Sequence, residues 1–182
     1  MTEVSERYGS VAACFTSRLD NVPLGSWSAP TPCPDWTVRD LAAHVVMTHR
    51  RVLARLDGIE AADLVPDDDL GCEWRVASAA VLEALDDPAR ASRVMGGMFG
   101  DQPFADLVGR LVCTDTLVHT WDLARATGQD ERLPADAVAK AAVFLASLGD
   151  AIRRAGGFGA RIEPSPHADE QTRFLNLCGR AV

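Results

Sequence analysis

Apolar residues recur every three or four positions along most of this chain, which is the pattern of amphipathic α-helices. The pattern predicts helices over residues 3–20, 37–57, 72–87, 102–126 and 135–154, with a final short helix near residues 168–178. The proline-rich segment at residues 21–36 lacks this period. Since it carries Trp27 and Trp36, we expect an ordered connection that these indoles pin to the core.

Local capping signals mark where two of these helices begin and end. Thr37 is suited to cap the second helix, with Asp40 three residues later and Gly58 as its stop. Asp101 is expected to cap the fourth helix and Gly128 to close it. These signals bound the second and fourth helices on both sides.

Each amphipathic helix has to bury its apolar stripe, and a bundle is the economical solution for four long helices. At 182 residues, 47% of them hydrophobic, the chain is long enough for one domain with a real core. We therefore predict an all-α fold, a single helical-bundle domain over residues 1–182. It would have a long crossover loop and a tail at 156–182 that packs on it.

Charge and composition exclude several classes of function. The formal net charge is -8, from 26 acidic and 18 basic residues, which argues against a nucleic-acid partner because phosphate binding needs clustered Lys and Arg. The first residues, MTEVSERYGS, do not resemble a secretory signal, and no stretch approaches the roughly 20 apolar residues of a membrane span. We expect a cytoplasmic protein without membrane contact. Lys140 is the only lysine, a usage typical of GC-rich bacterial genomes.

The fourth predicted helix carries three polar residues at helical spacing within an apolar-faced segment. Asp115 and His119 are four residues apart, so they lie one turn apart on one face and could hold one metal ion together. Asp122 lies near His119 but about 10 Å along the axis from Asp115. We assign Asp122 to orienting an imidazole or capping the helix. The simpler alternative is an exposed cap or a partner for Arg125.

A third ligand would come from another helix, and His44 is the natural candidate because it lies beside the buried stripe of the second helix. His49 projects about 140° away from His44, so we expect it on the outward side. His167 lies in a proline-flanked loop and should be at the surface. Two imidazoles and one carboxylate would leave an open position on zinc, as in catalytic rather than structural sites.

The remaining chemically active side chains have simpler interpretations. The five cysteines are scattered without any C-x-x-C pair, so we expect free, mostly buried thiols. Cys33 and Cys113 are interpreted as packing residues. Trp36 and Trp121 could line a pocket mouth, although burial in the core is the commoner role of large aromatic residues.

Three stretches of the chain resemble a known family in the same order: PTPCPDWTVRDLAAHV, DTLVHTWDLARATG and DEQTRFLNLCGR. They are similar to the metal-binding domain of the mycothiol-dependent maleylpyruvate isomerase family, within the DinB-like superfamily. The resemblance spans about residues 5–180. It implies a DinB-like four-helix bundle that holds a divalent ion, zinc or else nickel, through a His of the second helix and an acid-x-x-x-His pair.

Matched residue by residue, His44 corresponds to the first ligand and Asp115 with His119 to the pair. The isomerase has Glu where this chain has Asp115, so the carboxylate here is one methylene shorter. It also has a second, C-terminal domain that we do not expect here, so the maleylpyruvate reaction itself is not transferred. The resemblance further implies a low-molecular-weight thiol cofactor, mycothiol in an actinobacterium, and a homodimer.

Three functions remain open from the sequence. The first is a metal-dependent thiol S-transferase or isomerase, in which the ion activates a thiol or water for attack on a small electrophile. The second is a non-catalytic binding module or stress-related protein with a vestigial site. The third is a bundle without metal, in which the three residues only satisfy one another.

Overall fold

The computed structural model describes residues 2–97, 100–149, 153 and 158–182. Its helices are α1 (Glu3–Asp20), α2 (Val38–Asp57), α3 (Leu70–Asp86), α4 (Pro88–Ala91), α5 (Phe104–Leu107), α6 (Cys113–Thr127), α7 (Ala135–Leu148) and α8 (Glu170–Leu177). The other elements are a 3-10 turn at Leu24–Ser26, a π-helical turn at Val108–Val112, and an antiparallel pair of strands, β1 (Val94–Met95) and β2 (Gln102–Pro103).

Four long helices form the bundle, as the amphipathic pattern predicts. Around the bundle axis, α1 packs against α3, α3 against α2, α2 against α6, and α6 back against α1. Helix α7 lies outside this ring on α6, and α8 packs on α7, where Phe174 and Leu175 are buried in the core. The all-α, DinB-like bundle is confirmed.

The core consists of two clusters of buried side chains, and α6 contributes to both. Leu117 and Trp121 belong to the larger cluster with α7 and α8, whereas Leu123 belongs to the smaller one with α2 and the start of α3. Side chains on several sides of α6 are therefore buried. A polar residue on α6 can therefore be buried even where it lies outside the apolar face of the helix.

The predicted helix ends agree with the structure in most places. Thr37 and Asp40 form a capping box at the start of α2, and Gly58 ends it in the left-handed conformation at φ 71°. Gly128 closes α6 in the same way at φ 68°. Both glycines occupy a conformation that residues with a Cβ adopt at a cost.

Two predicted boundaries differ. Asp101 does not cap the fourth helix, because the β2 strand precedes it and Pro103 is the cap residue, without a side-chain hydrogen bond. From Phe104 onward the helix continues through the π-helical turn into α6 without a break. The fifth helix ends at Leu148, and the last part of its predicted span includes residues 150–152 and 154, which lie outside the described residues.

The connection between α1 and α2 is ordered by its own hydrogen bonds. The Thr31 amide donates to the Trp36 carbonyl at 3.0 Å, and the Trp36 amide donates to the Cys33 carbonyl at 3.2 Å. Asp35 adopts a left-handed φ of 64°, which short polar residues tolerate better than most. This tight turn places Cys33 and Trp36 beside α6. Within the described residues, no helix combines the length and apolarity that crossing a membrane requires.

Candidate metal centre

The three predicted ligands meet between α2 and α6. The Nε2 atom of His44 lies 3.3 Å from Oδ1 of Asp115, and Nε2 of His119 lies 3.6 Å from the same oxygen. One ligand atom from each residue lies within 4.8 Å of the other two. Helical spacing brings Asp115 and His119 together, and the packing of α2 on α6 brings His44 to them.

Exposure decreases across the cluster from one side to the other. The side chains of His44 and Asp115 are 31% and 29% exposed, whereas that of His119 is 11% exposed. The ring centroid of Trp36 lies 4.7 Å from that of His44 and 5.8 Å from that of His119. The cluster therefore has an accessible side at His44 and Asp115 and an aromatic wall at Trp36.

His119 has a different partner at each ring nitrogen. Its Nε2 faces Asp115, while its Nδ1 lies 3.1 Å from Oδ2 of Asp122, whose side chain is fully buried. Although burial favours the neutral acid, hydrogen bonds from Arg180 and His119 hold the pKa of Asp122 below its usual range. As a carboxylate Asp122 can only accept, so the Nδ1 of His119 carries the proton. In the neutral imidazole, Nε2 then presents its lone pair to the cluster.

Asp122 is the centre of a buried network that the sequence did not reveal. Arg180 donates through Nε to Oδ1 at 2.7 Å and through Nη2 to Oδ2 at 2.8 Å. The Cys33 thiol donates to Oδ2 at 3.2 Å, and Arg180 Nη2 lies 3.3 Å from its sulfur. The alternative of an exposed cap or Arg125 partner for Asp122 is therefore wrong. Arg125 instead pairs with Glu131.

Electrostatics in the cluster favour a positive charge between the imidazoles. Burial alone would raise the pKa of Asp115, but the neighbouring His119 and His44 hold it well below its usual range. Burial alone would lower the pKa of His119, but Asp115, Asp122 and Cys33 together raise it well above the usual range. The same carboxylates would attract a bound metal cation.

A second group of potential ligand atoms, from Cys33, His119 and Asp122, also lies within 4.8 Å. There, however, the Arg180 guanidinium already contacts both the Asp122 carboxylate and the Cys33 sulfur. A cation in that position would sit directly beside a fixed positive charge. The group of His44, Asp115 and His119 is therefore the better candidate of the two for holding a cation.

The structure corrects two other expectations for single residues. His49 does not point outward: it is fully buried, its Nδ1 lies 2.8 Å from the Val45 carbonyl, and its ring packs on Trp74. Cys33 is buried as expected, but in a polar network rather than among apolar side chains alone. Cys113 lies in the apolar core, and His167 is exposed, both as expected.

Arg180 and Cys33 were missed for the same reason. They lie 58 and 89 positions from Asp122 in the chain, and neither belongs to a helical pattern that would associate it with α6. The only signal in the sequence is that both fall within the two outer stretches that carry the family resemblance. The local pattern therefore pointed to the candidate ligands on the helices but not to the residues that surround them.

Comparisons with known proteins show which family this chain is similar to. Residues 10–124 match the family described as the mycothiol maleylpyruvate isomerase N-terminal domain. Two Mycobacterium tuberculosis proteins, from the CDC 1551 / Oshkosh and ATCC 25618 / H37Rv strains and both named only as uncharacterized, are each 34% identical over 173 residues. That alignment covers 92% of this chain and 92% of each relative. No solved structure matches it significantly. Because the family match covers more than half of the chain, this chain belongs to the mycothiol maleylpyruvate isomerase N-terminal domain family.

Proposed function

We propose that His44, Asp115 and His119 hold a divalent metal ion, with zinc the expected ion and nickel the alternative. Donor atoms about 2.0–2.1 Å from a tetrahedral zinc ion lie about 3.3 Å apart. The two contacts of Asp115 with the imidazoles, at 3.3 and 3.6 Å, are close to that separation. The spacing of these donor atoms is the observation that carries the proposal.

A second observation concerns the other carboxylate oxygen. Oδ2 of Asp115 is buried and has no hydrogen-bond partner among the described residues. Leaving a charged oxygen unpaired costs free energy, which a cation held by both carboxylate oxygens would recover. If the three side chains only paired with one another, both imidazoles would interact with Oδ1, and Oδ2 would remain without a partner. The orphaned oxygen therefore favours the metal over a self-contained ion pair.

When bound, such an ion would lower the pKa of a thiol or a water in its open coordination position. His44 and Asp115 form the accessible side of the cluster, so a small molecule would approach past them. The Trp36 ring lies beside His44 and would provide an apolar surface on this accessible side that suits an organic substrate. The hydrogen bond between His119 Nδ1 and Asp122 would keep Nε2 of His119 directed toward His44 and Asp115.

For the reaction, we propose transfer or isomerisation in which a low-molecular-weight thiol, mycothiol, attacks a small electrophile. Membership of the mycothiol maleylpyruvate isomerase family supports the thiol. The competing function is a non-catalytic, stress-related module that binds a metal or a small molecule and whose site is vestigial. The enzymatic function needs the metal, so the metal is tested first and turnover second.

The metal is tested by the zinc content of purified protein after equilibration with zinc and removal of the excess. We expect about one ion per wild-type chain and a clear loss in His119→Ala and His44→Ala. His167→Ala is the matched control, because it removes an exposed histidine and should keep the wild-type content. Equal zinc in all four proteins would refute the site.

Catalysis is tested with mycothiol and a generic electrophile, with and without a chelator. We expect thiol consumption that stops when the chelator removes the metal and returns when zinc is restored. Zinc-loaded protein that never accelerates the reaction would leave the binding module as the function. Turnover that is indifferent to the chelator would refute activation by the metal.

A further inference from the structure

The C-terminal segment reaches back into the bundle through one side chain. Arg180 follows α8, yet its guanidinium makes two hydrogen bonds to the buried carboxylate of Asp122, and its side chain is only 11% exposed. A two-pronged bond of this kind fixes the plane of the carboxylate as well as its position. Arg180 therefore determines where the Asp122 oxygens point.

The backbone around Arg180 is built to hold it there. Gly179 has a φ of 79°, and a Cβ at this position would lie 2.9 Å from backbone atoms of Gly159 and Ala160. The Arg180 amide donates to the Leu175 carbonyl at 2.9 Å, and the Asn176 side chain donates to the Arg180 carbonyl at 2.9 Å. The glycine allows the chain to turn sharply after α8, and these bonds fix the turn.

The network joins three segments that are far apart in the chain. Arg180 comes from the tail, Cys33 from the connection before α2, and Asp122 with His119 from α6. The oxygen of Asp122 that accepts from His119 Nδ1 also accepts from Arg180 Nη2 and from the Cys33 thiol. Any movement of Asp122 would therefore disturb the hydrogen bond that orients the His119 ring.

We propose that Arg180 is a positioning residue for the metal centre: by clamping Asp122, it fixes the His119 ring with Nε2 directed toward His44 and Asp115. This inference rests on the proposed metal site, because orientation of His119 matters only if His119 is a ligand. It makes the tail beyond α8 part of the centre through Asp122, to which Arg180 is hydrogen-bonded.

Two measurements on the full-length chain test this role. The first is the hydrogen-exchange rate of the His119 Nδ1 ring proton in metal-free protein, read by NMR. The second is zinc affinity, read by competition with a chromophoric chelator. Arg180→Met is the test variant, and Arg180→Lys keeps the charge without the two-pronged geometry. Arg173→Met is the matched control, since Arg173 is an exposed arginine whose bonds go to the Ala168 and Pro166 carbonyls.

In Arg180→Met we expect the ring proton to exchange about tenfold faster and zinc to bind about 10–100-fold more weakly, the range typical of residues that orient metal ligands. Arg180→Lys should recover part of both losses, and Arg173→Met should match the wild type. A merely structural ion pair would lower stability without changing the ring proton. Unchanged exchange or unchanged affinity in Arg180→Met would overturn the inference.

The inference and the proposed function can fail separately. A wild-type chain that binds no zinc would refute the metal site, while the exchange rates, measured without metal, would still decide whether Arg180 fixes the ring. If the unpaired Asp122 carboxylate prevents Arg180→Met from folding, the double variant Asp122→Leu with Arg180→Met removes both charges. Wild-type zinc affinity in that double variant would overturn the inference as well.

Discussion

Helix α2 carries two histidines, five residues apart, in contrasting surroundings. His44 is partly exposed, and its Nε2 lies 3.3 Å from a carboxylate on α6. His49 is fully buried between Tyr8 and Trp74, and its Nδ1 lies beside the Val45 carbonyl of its own helix. A buried histidine is therefore not by itself a site. The carboxylates around an imidazole, rather than its depth, distinguish the candidate centre from the core.

The pKa values show the same contrast. Burial lowers the pKa of His49 to about 4, and the bond to the Val45 carbonyl and the charge of Asp115 only partly oppose this effect. His119 is also buried, yet its nearby carboxylates raise its pKa well above the usual range. His49 is thus kept neutral by an apolar environment, whereas His119 lies in an environment that stabilises positive charge.

The largest expected effect comes from removing one of the two α2 histidines at a time. His44→Ala should weaken zinc binding by about 3 kcal/mol, or roughly hundredfold, because structural zinc sites with four protein ligands bind with about 10–16 kcal/mol, or about 3 kcal/mol for each ligand. His49→Leu should keep the wild-type affinity, measured by competition with a chelator. A similar loss of zinc affinity in both variants would show that α2 contributes to the site only by being folded and not through His44 as a ligand.

The second effect is a dependence of stability on pH that belongs to His49. Between the ordinary pKa of 6.5 and the folded value of about 4, the unfolded chain binds more protons than the folded chain. Stability should therefore fall by about 3 kcal/mol as the pH decreases through this window. Urea unfolding of metal-free wild type and His49→Leu at several pH values measures it, and the variant should lose less stability.

The other buried groups act outside this window. The pKa values of Asp115 and Asp122 are lowered, so the stability that these carboxylates contribute is lost only as the pH falls below their ordinary pKa of 3.8. The raised pKa of His119 makes its stabilisation disappear as the pH rises above 6.5. Equal slopes for wild type and His49→Leu between pH 6.5 and 4 would contradict the assignment to His49.

The smallest effect tests the element that carries both histidines. Thr37→Ala removes the side chain that accepts from the Asp40 amide at the start of α2, which should cost about 1 kcal/mol of unfolding free energy. Zinc affinity should stay within about twofold of the wild type, since this cap lies two turns before His44. A drop in affinity larger than that of His44→Ala would show that helix stability, not the ligand, limits binding.

The sequence predicted what depends on neighbours in the chain. Thr37 with Asp40 and the glycines at 58 and 128 mark helix ends through bonds within a few residues, and Asp115 with His119 share a face through helical geometry. His49 was predicted wrongly because a single buried stripe was assumed for α2. That helix packs against both α3 and α6, so more of its circumference is covered. Tertiary packing between distant segments also accounts for the missed Arg180 and Cys33.

The π-helical turn at Val108–Val112 changes the direction in which the side chains of the following helix, α6, point around its axis. A π-helical turn amounts to one inserted residue, and one residue corresponds to about 100° of rotation in an α-helix. The π-helical turn thus allows Phe104 and Leu107 to be buried in the core while Asp115 and His119 face α2. If one residue of that turn were deleted, the downstream helix would rotate by more than a quarter circle, and both polar side chains would turn away from α2.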